Sequence, residues 1–247
     1  MEKKKTKQLK ISVIIPAYNE EDFLAPTLEA LQNQTMSRSD YEIIVVDNNS
    51  SDTTTQVATQ GGADMVVTET KHGTNLARQR GVDESTGEIC AFCDADCIPP
   101  AHWLESIEKD LSNTRVGALS GPYDYGLPPL MQKLSSLYYV MFQYSDKILY
   151  FLFRKKSGVI IGGNFAARKE TINAIGGLPP MTFWGDDALT AIMIANTVGP
   201  VLFKPEFIVK SSPRRFSREG SLTTIFRYVF VYLKTYVNYK QSVAKKQ

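Results

Sequence analysis

The sequence predicts an α/β protein with a mostly parallel central sheet and helices on both of its faces. Three observations carry this. Short, β-branched apolar runs alternate with segments of helical spacing through the first hundred residues. The runs are continuously apolar, as expected for strands buried on both sides. Each run stops at a polar or acidic loop, and open α/β sheets bind ligands just outside the carboxyl ends of their strands.

In chain order, Ile11–Ile15 reads as the first strand and ends in Pro16-Ala17. Glu20–Gln34 places Phe23, Leu24, Leu28 and Leu31 on one side of a helix. Glu42–Val46 is the second strand and stops at Asp47-Asn48-Asn49. Asp52 reads as the N-cap of a helix over Thr53–Gln60, which Gly61-Gly62 end. Met65–Thr68, helix Asn75–Ser85 and Ile89–Cys93 complete the regular half. The remainder predicts helix His102–Leu111, strand Val116–Ser120, a long aromatic helix Leu130–Phe153 and strand Val159–Ala167. Helix Asp187–Asn196, strand Leu202–Val209 (broken by Pro205) and a terminal helix Ser221–Tyr239 follow. No internal repeat or Ser/Gly linker interrupts the chain. The expected organisation is one domain over residues 1–220, with a basic tail at 1–9, and a C-terminal helical extension over 221–247.

Composition bounds the function. The 247 residues are 43% hydrophobic and 22% charged, which excludes wholesale disorder. A net charge of +2 argues against a general nucleic-acid binder. The charge is unevenly spread: five lysines face Glu2 in residues 1–10, and nine basic residues face Glu219 in residues 210–247. The body between them is acidic, with 14 basic and 24 acidic side chains. Such a body suits a metal, and such ends suit anions, although a solvated tail is the plainer reading of residues 1–8. No secretory signal pattern is visible. No apolar stretch approaches the roughly 20 residues that span a bilayer. Cys90, Cys93 and Cys97 are an odd, clustered set, so no disulfide framework is expected and a cytoplasmic location fits. Zinc is disfavoured, since His72 and His102 lack ligand spacing. Cys90 and Cys93 read as packed in the strand, and Cys97 as partly accessible.

Asp94-Ala95-Asp96 follows the fourth strand directly. Two carboxylates spaced i, i+2 at a turn can converge on one cation, and their hard oxygens suit Mg²⁺ or Mn²⁺ held together with substrate phosphates. The same tripeptide also arises by chance in surface turns; its place at the ligand edge is what raises it.

With these motifs in order, the chain resembles glycosyltransferase family 2, whose members have the GT-A fold. The resemblance runs from about Ile11 to Phe216. It rests on Pro16-Ala17-Tyr18-Asn19-Glu20, on Val46-Asp47-Asn48-Asn49-Ser50-Ser51-Asp52-Thr53, and on Gly73, Ala77, Arg78 and Gly81. It rests also on the Asp94-Ala95-Asp96 triplet and on Asp186-Asp187 ahead of a helix. Asn48, Gln79 and Asp186 depart from the family's usual residues.

The resemblance implies an inverting transfer of a sugar from a UDP- or GDP-sugar to an acceptor hydroxyl, with a divalent metal at Asp96 and Asp94. It implies that Asp187 is the base, with Asp186 orienting the acceptor or its loop. Pro16, Ala17, Tyr18, Glu20, Asp47, Arg78, Asp94, Ala95, Asp96, Arg214 and Arg215 are the implied donor contacts. Gly163, Asn164 and Trp184 are the implied acceptor contacts. Alternatives stand beside several of these. Asp186-Asp187 also reads as a helix N-terminus, Tyr18 as a core aromatic and Arg78 as a surface ion pair. Gly162-Gly163 would let a substrate approach the backbone, or would mark a bulge.

Ile225, Phe226, Val229, Phe230, Leu233, Tyr236 and Val237 share one helical face, with Arg227, Lys234 and Lys240 off it. A basic, aromatic amphipathic helix reads as an element lying on a membrane surface, here the inner face, and suggests a lipid-linked or glycan acceptor. Packing on the core or a homodimer interface is the competing reading. Against the enzyme stand a non-catalytic nucleotide-sugar-binding or membrane scaffold protein, and a nucleotidyltransferase. The latter wants a Gly-rich, basic phosphate loop after strand one, which Pro16–Glu20 is not.

Overall fold

A computed structural model describes residues 10–126, 150–151, 156–180, 185–212, 214, 230–237 and 239. Its centre is a seven-stranded sheet built from β1 (Ile11–Ala17), β2 (Tyr41–Asp47), β3 (Met65–Thr68), β4 (Ile89–Cys93), β6 (Ala118–Ser120), β8 (Asn164–Arg168) and β9 (Val201–Phe203). The spatial order is β3-β2-β1-β4-β8-β6-β9. β1 lies between β2 and β4 and is parallel to both, whereas β8 runs antiparallel to β4 and β6. The sheet is therefore mostly parallel with one reversed central strand.

Side chains along a strand alternate between faces, and β1 shows the consequence. Ile11, Val13 and Ile15 join Leu24, Leu28 and Leu31 of α1 (Leu24–Gln32), Ala58 of α2 (Thr54–Gln60) and Trp103 of α4 (Trp103–Leu111). Ile14 faces the other way, toward Ala77 and Val82 of α3 (Thr74–Glu84), Ile172 of α5 (Lys169–Ala174) and Ile194 of α6 (Asp186–Thr197). The Phe92 and Phe165 rings stack at 4.2 Å where β4 meets β8. Gly81 is required by this packing, because a Cβ there would lie 2.4 Å from Ile14.

A second, three-stranded sheet joins β5 (Cys97–Ile98), β10 (Val209–Ser211) and β7 (Tyr123–Asp124). It anchors the chain immediately after the acidic triplet, with Ser211 paired to Cys97 and Val209 to Tyr123.

The irregular half departs from the expected elements. The strand expected over Val159–Ala167 begins only at Asn164, because Gly162-Gly163 turn the chain. Leu202–Val209 is not one strand; its two ends lie in different sheets as β9 and β10. Cys97 is buried rather than partly accessible. The tail 1–9 and nearly all of Leu130–Phe153 lie outside the described residues. Of the terminal segment, residues 230–237 are helical. Tyr232 and Tyr236 pack on Ile192 of α6, while Phe230, Leu233 and Val237 face outward. Among the described residues, no helix is long and apolar enough to cross a membrane.

Candidate active site

Three loops meet at the carboxyl ends of β1, β2 and β4. The first two are laced together. Ser51 N donates to Asn19 Oδ1 at 2.9 Å, Glu20 N to Thr54 Oγ1 at 2.8 Å and Thr53 N to Glu21 Oε2 at 2.9 Å. Asn19 has φ 53°, a left-handed conformation that Asn tolerates better than most residues. Asp52 accepts from Thr54 N at 3.0 Å and from Glu21 N at 3.2 Å, so it stabilises both the start of α2 and the neighbouring loop. Asp47 accepts from Ser50 N at 3.2 Å. Asn48 explains its own departure from the family. Its Nδ2 donates to the carbonyls of Glu69 and Lys71, and its Oδ1 accepts from Gly73 N. A carboxylate could make only the last of these contacts.

The acidic triplet forms a tight turn, closed by Cys97 N donating to Asp94 O at 3.1 Å. Thr27 of α1 holds the Ala95 carbonyl at 2.8 Å. Asp94 is held at both oxygens: Oδ1 by Arg78 Nη2 at 2.9 Å and Oδ2 by the Tyr123 hydroxyl at 2.9 Å. Asp96 Oδ2 accepts from Arg214 Nε at 3.0 Å, and Arg214 Nη2 lies 2.7 Å from both Glu20 oxygens. The Arg214 guanidinium stacks over the Phe23 ring at 4.1 Å. Burial, and then the Asp94 charge, push the Asp96 carboxyl above its ordinary range. Burial raises Glu20 too, against the opposing pull of Arg214.

Asp94, Asp96 and Cys97 offer ligand atoms within 4.8 Å of one another. Burial, and then the two carboxylates, push the Cys97 thiol well up, so it stays protonated and is the poorer donor. The hard oxygens of Asp96 and Asp94 fit Mn²⁺ or Mg²⁺ better than a soft ion.

Asp186 and Asp187 open α6, but neither forms a side-chain cap on that helix. Asp187 Oδ2 accepts from Gly162 N at 3.1 Å, and its Oδ1 lies 3.5 Å from Arg78 Nη1. Asp186 lies 3.7 Å from the same nitrogen. Burial and the Asp186 charge push the Asp187 carboxyl up, to about 8, while Arg78 pulls the other way. The side chain is still 33% accessible, so a substrate can reach it.

The remaining expected residues fall as follows. Tyr18 is no core aromatic: it is 51% exposed and meets His72 edge-on at 5.2 Å. Ala17 and Ala95 are buried and Pro16 is half-buried. Arg78 is no surface ion pair, its side chain being 4% accessible. Gly162-Gly163 bring the backbone against protein carboxylates rather than leaving it open. A Cβ at Gly162 would lie 2.7 Å from Asp187 Oδ1, and one at Gly163 2.2 Å from Asp94 Cγ. Asn164 corrects an expectation. It is fully buried, accepts from Trp103 Nε1 at 3.0 Å and donates to the Pro122 and Phe207 carbonyls, so it is a structural tie and cannot touch an acceptor. Trp184 and Arg215 lie outside the described residues. Tyr123 and His72 were missed, since an isolated Tyr or His carries no motif and only folding brings each to its partner.

The sheet order and the acidic loops at its carboxyl edge define a GT-A domain. The family model for glycosyl transferase family 2 matches residues 12–176, and the chain belongs to that family. The chain is 37% identical over 123 residues to glycosyltransferase AglE of Haloferax volcanii, a stretch covering 48% of this chain and 40% of that one. It is similar to the mannosyltransferase PcManGT of Pyrobaculum calidifontis, solved with GDP-Man and Mn²⁺, at TM-score 0.64 and 25% identity. That match covers 84% of this chain and 58% of the other. The fold also matches glucosyl-3-phosphoglycerate synthase of Mycobacterium tuberculosis at TM-score 0.65 and 20% identity, over 92% and 79% of the two chains.

Proposed function

We propose that this chain transfers a sugar, with inversion, from a nucleoside diphosphate donor to an acceptor hydroxyl. The observation that carries the reading is one sheet edge holding two kinds of carboxylate. Asp94, the first residue of the acidic triplet, binds Arg78 Nη2, and Asp187, with its raised proton affinity, lies 3.5 Å from Arg78 Nη1. Family membership, and the GDP-Man and Mn²⁺ in the mannosyltransferase similar to it, support the donor class.

Asp187 takes the proton of the acceptor hydroxyl as its oxygen attacks the anomeric carbon. The bond from that carbon to the diphosphate oxygen breaks on the opposite face, so no covalent enzyme intermediate forms. Asp96, with Asp94 behind it, would hold Mn²⁺ or Mg²⁺, which when bound supplies Lewis-acid stabilisation of the leaving diphosphate. Glu20 would take the ribose, Asp47 and Tyr18 a uracil or guanine base, and Arg214 the diphosphate, an assignment that the resemblance alone extends to Arg215. Asp186 orients the acceptor side.

The test is a thermal-shift screen of UDP-, GDP- and dTDP-sugars with Mn²⁺ or Mg²⁺, followed by a transfer assay with the best donor. A donor at 100 times its Kd should add about 2.7 kcal/mol of stability. Metal-dependent stabilisation by one base class is expected; no shift with any donor would overturn the reading.

A second reading concerns location. We propose that the terminal helix attaches the domain to the cytoplasmic membrane surface, where a lipid-linked acceptor would be presented. Its support is the outward stripe Phe230, Leu233 and Val237, of which Phe230 is 67% exposed, on a helix whose tyrosines already dock on α6. Replacing the three with Ser keeps Tyr232 and Tyr236. Sedimentation with anionic vesicles should fall, whereas unchanged sedimentation, or a loss of mass consistent with a homodimer, would reject the membrane role.

A further inference from the structure

One buried arginine touches both halves of the candidate site. Arg78 Nη2 donates to Asp94 Oδ1 at 2.9 Å, while Nη1 donates to Asn75 Oδ1 at 3.1 Å. The same Nη1 lies 3.5 Å from Asp187 and 3.7 Å from Asp186. Three carboxylates from two distant stretches of chain thus share one guanidinium. Arg78 Nε is buried without a hydrogen-bond partner among the described residues, so the fork is used only at its two ends.

The surroundings fix that fork. The Tyr123 hydroxyl holds the other oxygen of Asp94, and Gly162 N holds the other oxygen of Asp187. The backbone turn at Gly162 closes on the arginine itself: a Cβ there would meet Arg78 Nη2 at 2.5 Å and Asp187 Oδ1 at 2.7 Å. A guanidinium suits this role because its donors lie in one rigid plane, whereas an ammonium is a point charge on a flexible stem.

We infer that Arg78 is a positioning residue: it sets Asp187 relative to the Asp94 side of the site, and does so from beneath rather than by touching the donor. This rests on the reading of Asp187 as base. With 4% of its side chain accessible and its Nη atoms already engaged, Arg78 offers a diphosphate little surface.

The test is a double-mutant cycle on the full chain, with kcat and donor Kd (titrated with Mn²⁺ present) measured separately. Arg78→Lys should lower kcat by about a hundredfold, the order expected for misplacing a reacting group by 1 Å. Donor Kd should stay within about threefold, because the Tyr123 hydroxyl still holds Asp94 and Asp96 is untouched. In the Asp187→Asn background the same change should cost almost nothing further, because a positioning residue has no effect once the group it positions is gone. A large rise in donor Kd, or full additivity with Asp187→Asn, would overturn the inference while leaving Asp187 as base. Near-normal kcat in Asp187→Asn alone would overturn the base reading and the inference with it. Should Arg78→Lys fail to fold, Gly162→Ala pushes Arg78 and Asp187 apart without changing a charge. It is expected to show the same kcat loss and the same non-additivity; wild-type kcat in Gly162→Ala would count against the inference.

Discussion

Arg78 and Arg214 each bind acidic side chains of the site, yet they sit in opposite settings. Arg78 is enclosed and serves three carboxylates, whereas Arg214 is one-third accessible and bridges Glu20 and Asp96 over an aromatic ring. Arg78 has no water to turn to, so losing any of its partners is costly on the arginine's side. Arg214 itself meets solvent and can leave at lower cost than Arg78, although Glu20 and Asp96 are only 16% and 15% accessible. In the proposed reaction Asp187 is thus tied to Asp94 through a buried arginine, whereas Glu20 and Asp96 are bridged by one that a diphosphate can compete for.

The largest expected effect lies on the enclosed side. Asp187→Asn keeps the shape and removes the proton acceptor, so transfer should slow by about 10²–10⁴-fold with donor binding intact. Near-normal single-turnover rates would remove Asp187 from the chemistry.

The two arginines should next separate in stability. Arg78→Gln leaves three carboxylates without their shared cation and should cost about 3 kcal/mol or more in denaturant unfolding. Arg214→Gln should cost less, about 1–2 kcal/mol, because the guanidinium meets solvent while Glu20 and Asp96 are largely covered. Equal losses would erase the contrast between the clusters.

Asp96→Ala should remove most of the roughly 2.7 kcal/mol that saturating donor and Mn²⁺ add to the wild type. An unchanged metal-dependent thermal shift would show that the cation sits elsewhere.

The pH profile gives a finer measure. Burial beside Asp186 raises the Asp187 carboxyl to about 8, and the base works only when deprotonated. Therefore kcat/KM should climb as pH rises toward about 8 and level off above it, by up to tenfold per unit on the acid limb. A plateau already reached near pH 5 would mean that Asp187 keeps an ordinary carboxylate affinity.

The last effect, away from both arginines, is on the loop held by Asn48. Asn48→Asp replaces the donor to the Glu69 and Lys71 carbonyls with an acceptor and should lower stability by about 1–3 kcal/mol. An unchanged midpoint would show that the loop holds itself.

The same contrast runs through what the sequence makes legible. β1 to β4 and α1 to α4 are local: apolar runs, helical spacing and glycine stops mark them to within a few residues. So do the loops at the strand ends, because a parallel sheet sends its polar ends to one edge. α5 has six residues and three charged or amide side chains among them, too short and too polar to announce a helix. β5 and β7 have two residues each and exist only because β10 passes between them. Asn164 looks like a polar group beside a glycine pair, and only the fold shows Trp103 and two carbonyls waiting for it. Arg78 is legible as part of a motif, but its four partners come from α3 itself, the end of β4 and the start of α6, which no spacing rule connects.

The reversed strand β8 also has a consequence in time. Until it pairs, β4 presents an open edge of Ile89, Cys90, Ala91, Phe92 and Cys93, a short apolar template of the kind that pairs with other chains. β8 lies about seventy residues downstream of β4. With synthesis at about 5–20 residues per second, that edge waits roughly four to fourteen seconds for its partner. On the ribosome, then, the parallel half of the sheet emerges early with its fourth strand uncovered, and a chaperone or a neighbouring nascent chain has first access to it.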